Sequence, residues 1–577
     1  MNPTIVLCCA LAGALPAGKD PTMDDPRNIR TGLVIPSENY ADQPYVVVTK
    51  RGEWLCTLTT GRGVEGKRGQ HVVATISADR GRTWSKRIDI EPADGPEASW
   101  VMPLITPSGR IYAFYDYNGG NVTDRRADML GWYCFRYSDD GGRSWSPKRY
   151  RLPVRLTDVD RTNTFAGKTQ IFWGIGKPIV AGGSAIFAFT KIGRYMMDRS
   201  EGWFFRSANI LTEPDAGKIV WEMLPRGEKG LRSPGGGSIQ SEQNVVALSG
   251  GGLYCMYRTT TGRPYCAISR DGGATWTEPG PAVYSPGGRA FRHPRACPRI
   301  WRCANGKYLF WFHHHGGKDF RGRNPAWVSG GIETGGTIHW SQPELLLYDP
   351  DARIRISYPD LVEQDGRYWV TETQKTVARV HEIDASLLEG LWRQGEVKTV
   401  ARKGLALSLG AAKIALGRAK MPRLGDLTAS KGFAVELWLT PANASAGQVV
   451  LDSRGPGGQG LAVTTTPKGT LGLALSDGKG KTAWDCDEPL KAGVRHHVVF
   501  VVDAGARILS VVVDGLLCDG ATRRQYGWGR LPKTLRDVTG GESLRVAPSW
   551  KGTLGRVRVY SRPLRTSEAV GNFHAGP

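Results

Sequence analysis

Tyr358 is a residue whose type could do chemistry. It lies in RISYPDLVEQDGRYWVTET, residues 355 to 373, a strand–turn–strand pattern in which Pro359 and Asp360 follow it. A phenol can act as a nucleophile, but its free pKa is about 10, so near neutral pH it needs a neighbouring base. Tyrosine is also a common strand residue that mostly serves packing. This stretch alone leaves both interpretations of Tyr358 open.

The histidines and cysteines show no metal-binding pattern, and we predict no metal and no cofactor. The run HHH at 313–315 follows the apolar strand YLFWF. Neighbouring strand residues point to opposite faces, so the three cannot ligate one ion, and we expect one or two at a pocket rim. Cys255 and Cys266 flank the turn TTTGRP symmetrically and could form a disulfide across a hairpin. Further possible pairs are Cys297 with Cys303 and Cys486 with Cys518.

The composition indicates many strands and tight turns in more than one domain. The chain has 577 residues, with 75 Gly and 35 Pro. Lys and Arg outnumber Asp and Glu by 76 to 54, for a net charge of +22. This charge favours an anionic partner, or it is an evenly basic surface, since the charges do not cluster in runs. We find no nucleic-acid motif and no apolar stretch that could span a membrane.

The N-terminus resembles a secretory signal peptide. An apolar run extends from Thr4 to about Ala17 and has small residues near its end, although no Lys or Arg precedes it. We therefore predict that residues 1–20 are a signal peptide and that the protein is secreted or periplasmic. The alternative is a start codon assigned too early.

A repeat gives the architecture of the next part of the chain. SADRGRTW at 77–84, SDDGGRSW at 138–145 and SRDGGATW at 269–276 all fit S-x-D-x-G-x-[TS]-W. Asp and Gly suit a tight turn, Ser or Thr can bind its backbone, and Trp can anchor it in the core. The repeat resembles the Asp-box of sialidase-like β-propellers. In that family the boxes are turns at the periphery, so the resemblance implies that Asp79, Asp140 and Asp271 are structural.

The spacing of the boxes predicts six blades. The gap between the second and third boxes is about twice that between the first and second, and Trp221 in AGKIVWE marks a degenerate box between them. Trp340 in GGTIHW follows at about one further period, and residues 350–400 supply a sixth unit without a box. We predict an all-β protein in which residues 21–400 form a six-bladed β-propeller.

After a short helical pattern, ASLLEGLWRQGE, the sequence changes to short alternating strands with Gly-rich turns. FAVELWLTP, GLAVTTT, HHVVFVVD and ILSVVVDG are examples, and they predict a β-sandwich over residues 401–577. Its ending, GRVRVYSRPLRTSEAV, resembles laminin-G or concanavalin-like jelly rolls. Such domains bind glycans or serve as spacers, and a propeller followed by this sandwich is the order seen in trans-sialidases.

The sialidase resemblance implies roles for single residues. That family uses a tyrosine nucleophile, a glutamate that takes its proton, an acid/base carboxylate and three arginines on the sugar carboxylate, outside the usual two-carboxylate scheme. Tyr358 matches the nucleophile and Glu242, in SEQNVVALSG, matches the proton acceptor. Arg258 and Arg323 match two of the arginines, with Arg321 as an alternative to Arg323, because a guanidinium can bind a carboxylate bidentately. Glu372 matches a glutamate that steadies the first arginine.

Blade one departs from the family pattern. Where sialidases carry R-I-P, this sequence reads D-Q-P, with Asp42 in place of the arginine. A carboxylate there would repel a substrate carboxylate unless it is protonated or paired. Either Lys375, Arg292 or Arg295 replaces the missing cation, or the substrate presents hydroxyl groups to Asp42, or catalysis is lost. We favour the hydroxyl interpretation narrowly.

The resemblance implies that the acid/base carboxylate lies in the loop before the first box, TTGRGVEGKRGQHVVATIS. Glu65 is its only carboxylate, and His71 is its other titratable candidate near neutral pH. His71 is more typical of a satisfied strand histidine. Trp100, Tyr115 and Tyr117 could stack on sugars or pack inside blades.

Three functions are compatible with these features. The first is a secreted, retaining exo-glycosidase acting on a terminal, acidic, sialic-acid-like sugar of a glycan or glycoconjugate. The second is a non-catalytic glycan-binding propeller–lectin protein. The third is a sialidase-fold hydrolase, transferase or lyase for a different sugar. Retention of both Tyr358 and Glu242 favours catalysis, because a binding protein needs no base beside a phenol.

Overall fold

The computed structural model describes residues 25–124, 126–194, 198–429 and 431–577. The predicted signal peptide lies outside these residues. Within them the protein is built almost entirely of antiparallel β-sheets. No helix in the described ranges is long and apolar enough to cross a membrane.

Six small sheets of four or five strands make up the first part of the described chain. After β1 (Leu33–Ile35), blade 1 contains β2 (Tyr40–Val48), β3 (Trp54–Gly61), β4 (Gln70–Ser77) and β5 (Ile88–Asp89). Blade 2 contains β6 (Ala98–Ile105), β7 (Ile111–Tyr117), β8 (Trp132–Ser138) and β9 (Tyr150–Arg151), and helix α1 (Asp158–Arg161) follows it. Blade 3 contains β10 (Phe172–Trp173), β11 (Ile179–Ala181), β12 (Ser184–Arg194), β13 (Asp198–Ser207) and β14 (Glu222–Leu224). They continue with blade 4, of β15 (Ser241–Ala247), β16 (Leu253–Arg258), β17 (Tyr265–Ser269) and β18 (Gly280–Pro281); blade 5, of β19 (Arg299–Arg302), β20 (Tyr308–Phe312), β21 (Ala326–Thr334), β22 (Thr337–Trp340) and β23 (Glu344–Leu347); and blade 6, of β24 (Ser357–Gln364), β25 (Arg367–Thr373) and β26 (Ala378–Ile383).

The ring of blades closes on itself. β1 pairs antiparallel with β26, with Leu33 opposite Val380, so the start of the described chain supplies the outer strand of blade 6. The innermost strand of blade 1 packs against those of blades 2 and 6, and β15 packs against β12 and β19. The predicted all-β fold with a six-bladed propeller is therefore confirmed.

The three Asp-boxes form the same turn between the third and fourth strands of blades 1, 2 and 4. In the box of blade 4, Asp271 accepts hydrogen bonds from the Thr275 amide at 2.9 Å and the Thr275 hydroxyl at 2.6 Å. Ser269 Oγ donates to the same carboxylate at 2.8 Å. These donors outweigh the effect of burial and lower the pKa of Asp271 to about 2. The box carboxylates thus hold turns together, as expected.

A second domain follows helix α2 (Ala385–Trp392). Its strands are β27 (Leu405–Leu409), β28 (Arg418–Lys420), β29 (Gly432–Pro441), β30 (Val449–Asp452), β31 (Gly460–Thr465), β32 (Leu471–Ser476), β33 (Lys481–Asp485), β34 (His496–Asp503), β35 (Ile508–Val513), β36 (Leu516–Leu517), β37 (Gly529–Arg530), β38 (Ser543–Val546) and β39 (Gly552–Tyr560), with helices α3 (Ala411–Ile414) and α4 (Thr566–Ala575). β29 pairs with β34 and β39 in one sheet, and β31 pairs with β30 and β32 in the other. Aliphatic side chains from both sheets form one buried core, which is the predicted sandwich.

The two domains share a buried apolar cluster that includes Phe310 and Trp340 of blade 5 and Val499 and Trp528 of the sandwich. The HHH run lies at this boundary. His314 Nε2 donates to the Cys518 carbonyl at 3.0 Å, and Trp528 Nε1 donates to the His314 carbonyl at 3.1 Å. The expectation of a pocket rim was wrong for this run, because all three rings are buried and two contact the sandwich.

None of the possible disulfides is present, because all cysteines in the described part of the chain are free thiols. In the hairpin of β16 and β17, Cys255 stands opposite Ala267 and Cys266 stands opposite Met256. The register is offset by one residue, so the two thiols project from opposite faces of the sheet.

Candidate active site

The innermost strands of four blades carry the same irregularity near their starts. In β2, β6, β15 and β24 the pairing register shifts by a β-bulge. The bulged residues are Gln43, Trp100, Glu242 and Tyr358, with φ of 51°, 64°, 60° and 47°. Positive φ is uncommon for residues other than glycine and costs of order 1–3 kcal/mol. Bulges redirect side chains, and these bring Tyr358 and Glu242 from different blades into contact.

Tyr358 and Glu242 form the centre of the site. The Tyr358 hydroxyl donates to Glu242 Oε1 at 2.8 Å. Arg258 Nη1 lies 2.8 Å from the same oxygen. Tyr358 is 3% exposed and Glu242 is 1% exposed, so this contact is screened from bulk water. A phenol, a carboxylate and a guanidinium are therefore joined around one oxygen atom.

The surroundings keep the Tyr358 phenol protonated. Burial and the negative charge of Glu242 raise the pKa of Tyr358 well above 10, although Arg258 and Arg323 oppose the rise. A neutral phenol that donates a hydrogen bond to a carboxylate can lose its proton to that carboxylate at the moment its oxygen forms a new bond.

In blades 1, 4 and 6 the residue before the bulge accepts a hydrogen bond from a positively charged side chain. Ser or Asp occupies this position, and its oxygen accepts a hydrogen bond from the cation. The contacts are Arg258 Nε to Ser241 Oγ at 2.8 Å, Arg323 Nη1 to Ser357 Oγ at 3.2 Å and Lys375 Nζ to Asp42 Oδ2 at 2.5 Å. Each cation is thus fixed by the residue next to a bulge.

Two of the predicted arginines form no ion pair with a carboxylate in the described part of the chain. Arg323 and Arg295 have no carboxylate oxygen within 4.0 Å among the residues described, and Arg323 Nη2 donates to the Arg295 carbonyl at 3.2 Å. Arg323 is buried and Arg295 is half-buried. Burial and the nearby charges of Arg258 and Arg323 lower the pKa of Arg295. Close, partly desolvated cations of this kind favour binding of an anion.

Asp42 is placed differently from the favoured expectation. It is fully buried, and besides Lys375 it accepts hydrogen bonds from the Tyr40 hydroxyl at 2.8 Å and the Gln43 amide at 3.0 Å. Burial raises the pKa of Asp42, whereas Lys375 opposes the rise. The carboxylate is used within the protein, so it does not offer free oxygens to a substrate hydroxyl. Lys375 therefore compensates the charge of Asp42 itself rather than that of a substrate carboxylate.

Glu65 lies beside the same cation. Its carboxylate is 3.6 Å from Lys375 Nζ and 3.3 Å from Arg126 Nη2. Burial raises the pKa of Glu65, but Lys375, Arg126 and Arg323 outweigh it and lower that pKa to about 2. The carboxylate is therefore ionised at neutral pH in the unliganded protein.

Three predicted residues contact other groups than those around Tyr358. Glu372 has His381 Nε2 at 3.5 Å and Arg379 Nη1 at 3.8 Å, so it does not steady a site arginine. Arg292 Nη2 donates to the Arg524 carbonyl of the sandwich at 3.3 Å, so it belongs to the domain boundary. His71 Nδ1 donates to the Glu91 carbonyl at 3.0 Å, and its ring is a satisfied strand histidine.

Sequence reasoning missed Tyr40, Ser241 and Ser357, which hold the charged groups in place. A signal for them exists in the sequence: D-Q-P, S-W-V, S-E-Q and S-Y-P each place Ser or Asp before the bulged residue. In the part of the chain that the structure describes, no group of three or more His, Cys, Asp or Glu side chains could hold a metal ion.

Two parts of the chain match known families. Residues 417–569 match the concanavalin A-like lectin/glucanases superfamily, and residues 136–147 match the BNR/Asp-box repeat. A comparison with curated proteins found no match. These matches confirm the predicted repeat and the lectin-like C-terminal domain.

Several solved structures are similar to this chain at low identity. A Trypanosoma rangeli sialidase in complex with 2,3-difluoro-KDN is 15% identical, with 93% of this chain and 94% of that chain covered and a TM-score of 0.45. The NanB sialidase from Streptococcus pneumoniae is 12% identical, with 62% and 70% covered and a TM-score of 0.45. A protein of unknown function from Dyadobacter fermentans is 16% identical, with 61% and 98% covered and a TM-score of 0.44.

Proposed function

We propose that this protein is a retaining glycoside hydrolase that removes a terminal, carboxylate-bearing sugar from a glycan. Tyr358 is the nucleophile and Glu242 accepts its proton. The observation that carries the proposal is the 2.8 Å hydrogen bond from the Tyr358 hydroxyl to Glu242 Oε1, buried and made by two bulged residues of different blades. Strained backbone at both partners is typical of functional sites, since packing alone does not require it.

The reaction then proceeds in two steps. In the first, Tyr358 Oη bonds to the anomeric carbon, its proton passes to Glu242, and the bond from that carbon to the leaving oxygen breaks. In the second, the Glu65 carboxylate takes one proton of a water molecule as the water oxygen bonds to the anomeric carbon, the bond to Oη breaks, and Glu242 returns its proton to the phenolate. Two inversions give net retention. A phenol suits an anionic sugar better than a carboxylate nucleophile, because the neutral group is not repelled.

The unpaired cations support an acidic substrate. Arg323 and Arg295 lack a carboxylate partner within 4.0 Å in the described ranges, and Arg258 lies beside them with Glu242 as its partner. A sugar carboxylate between these groups would replace the missing counter-charge and gain charge-assisted hydrogen bonds. The sialic-acid-like class and the uronic acids both carry such a group.

Proton supply to the leaving oxygen depends on Glu65. With a pKa of about 2, its carboxyl is ionised before substrate binds. It becomes a general acid only if the substrate separates it from Lys375 and Arg126, which would raise its pKa. Glycosides with good leaving groups, such as nitrophenols, need no such acid and are the substrates to test first.

The test is a panel of nitrophenyl glycosides, including sialosides, uronides and the matching neutral sugars. We expect turnover of a carboxylated member, with retained anomeric configuration by proton NMR. Tyr358→Phe and Glu242→Gln should each lower kcat by at least about a hundredfold, the scale of a lost nucleophile or general base. Tyr257→Phe is the control, because it removes a buried, hydrogen-bonded phenol from the strand that carries Arg258.

Three outcomes would contradict the proposal. Inversion of configuration would exclude a covalent intermediate on Tyr358. Unchanged turnover in Tyr358→Phe would place the chemistry elsewhere. Glycan binding without turnover, unchanged by Tyr358→Phe, would favour the alternative of a glycan-binding propeller–lectin protein.

A further inference from the structure

The ammonium group of Lys375 lies against the face of the Tyr358 ring. Its Nζ is 4.2 Å from the ring centroid. The rings of Trp100 and Tyr40 are 5.6 Å and 5.7 Å away, so three aromatic faces surround one cation. Lys375 is 7% exposed, and a cation in such a position interacts with the ring more strongly than in water.

The chain fixes this lysine through both backbone and side chain. Lys375 has a φ of +74°, which is strained for a residue other than glycine. Its carbonyl accepts the Ala41 amide at 3.0 Å, and its own amide donates to Thr373 Oγ1 at 2.9 Å. These contacts attach the turn after β25 to the start of β2, directly beside Asp42. The ammonium group is therefore held over the ring from two blades.

Lys375 is not arranged to attract the charge of a substrate. Asp42 lies 2.5 Å and Glu65 lies 3.6 Å from its Nζ, so two carboxylates already surround the cation. By contrast, Arg295 and Arg323 have no carboxylate within 4.0 Å among the residues described. An anionic sugar gains more at the unpaired guanidinium groups than at a paired ammonium. Lys375 instead contacts the ring of Tyr358, the proposed nucleophile.

We propose that Lys375, held by Asp42, is a positioning residue that acts on the nucleophile: it orients the Tyr358 ring and stabilises the phenolate that forms when the glycosyl–tyrosine bond breaks. The inference rests on the proposed function. When that bond breaks, its electron pair stays on Oη until Glu242 returns the proton. The other charged groups that act on the phenol are Glu242, Arg258, Arg323 and, with the sign opposite to that of Lys375, Asp42. Among the residues that the structure describes, Lys375 is the cation that lies over the face of the Tyr358 ring.

The first test separates an effect on the nucleophile from an effect on the substrate. Lys375→Met should lower kcat about tenfold, on the scale of a desolvated cation–π contact, and leave KM within about twofold. The loss should be equal for a carboxylated nitrophenyl glycoside and its neutral counterpart. Lys375→Arg, which keeps the charge, should recover most of the rate. A rise in KM confined to the carboxylated glycoside would overturn the inference, because it would make Lys375 a substrate ligand.

The second test needs no turnover. A fluorotyrosine placed at position 358 ionises at lower pH than tyrosine and can be titrated by fluorine NMR in the full chain. In the Lys375→Met background its ionisation should move up by about one pH unit, equivalent to a tenfold change in the equilibrium. Asp42→Asn with Lys375→Met keeps the net charge of the pair constant and should show an upward shift as well. An unchanged titration in both variants would refute the role of Lys375.

The two tests separate failure of the proposed function from failure of the role proposed for Lys375. If the wild-type protein turns over none of the glycosides, the proposed function fails, yet the titration still decides whether Lys375 acts on Tyr358. If the wild type is active and Tyr358→Phe is inactive, but neither kcat nor the titration responds to Lys375→Met, the inference fails alone.

Discussion

Replacing Asp42 tests how the centre of the propeller is held together. Asp42 is fully buried and accepts hydrogen bonds from Lys375 at 2.5 Å, the Tyr40 hydroxyl at 2.8 Å and the Gln43 amide at 3.0 Å. Removing one partner of a buried ion pair costs about 3–5 kcal/mol, because the other charge is left without compensation. In Asp42→Asn the neutral amide keeps the shape, and Glu65 at 3.6 Å still compensates Lys375 in part. We therefore expect a loss of about 2–3 kcal/mol in the free energy of unfolding.

A double-mutant cycle measures the coupling free energy between Asp42 and Lys375. Lys375→Met should destabilise by a similar amount, since it leaves Asp42 buried and unpaired. The combined variant leaves neither charge, so its loss should fall short of the sum by about 1–3 kcal/mol. Urea unfolding of the full chain, followed by tryptophan fluorescence, measures these differences. The control cycle uses Arg367 and Glu382, an exposed pair of blade 6, where coupling should stay below about 0.5 kcal/mol.

Additive losses at Asp42 and Lys375 would contradict this prediction, because groups in direct contact inside the protein must couple. The same contacts predict the outcome of placing at position 42 the arginine that sialidases carry in their R-I-P sequence. Asp42→Arg places a second cation beside Lys375 and removes the acceptor of Tyr40, so it should unfold the centre rather than create sialoside cleavage. A gain of sialoside turnover in Asp42→Arg would show that this position faces the substrate.

Two further predictions concern pH and charge. Burial lowers the pKa of His293 to about 3 and those of His314 and His315 to about 4, from 6.5 in the unfolded chain. The unfolded state therefore binds more protons, so the free energy of unfolding decreases as pH falls from about 6.5 towards 4. The decrease is about 3 kcal/mol each for His314 and His315. A melting temperature independent of pH in this range would contradict this prediction. Arg323→Met should raise KM for a carboxylated glycoside about tenfold or more and leave the neutral counterpart unchanged, as measured by initial rates.

The repeat made the propeller predictable from the sequence. Each Asp-box forms one turn through contacts between residues only a few positions apart, so about eight residues of sequence are enough to recognise it. The box spacing then fixed the blade count, even where Trp221 and Trp340 lie outside true boxes. The sandwich was predictable for a similar reason, since alternation of buried and exposed residues is a local property of strands.

The centre of the propeller was predictable only in part. Tyr358, Glu242, Arg258 and Arg323 came from the family resemblance, which carries long-range information that the residues themselves lack. The sequence left the partner of Asp42 open among several alternatives, because Lys375 reaches it through the closure of blade 6 on blade 1, whereas the contact with Tyr40 lies within β2. Whether Cys255 and Cys266 could pair depended on a register offset of one residue, which symmetric spacing about a turn does not determine.

The four bulges explain why no single stretch of sequence contains the site. A regular inner strand alternates its side chains between the two faces of a blade, and neither face points along the axis where the blades meet. A bulge at the start of the strand interrupts this alternation and redirects one side chain, and each bulge adds its own backbone strain. Because Glu242 and Tyr358 are both bulged, their contact needs two strained residues at once, and the hydrogen bond between them offsets only part of that strain. A pair that only stabilised the fold would need no strained residue at either position, and the strain at both partners is the reason that we propose chemistry for Tyr358.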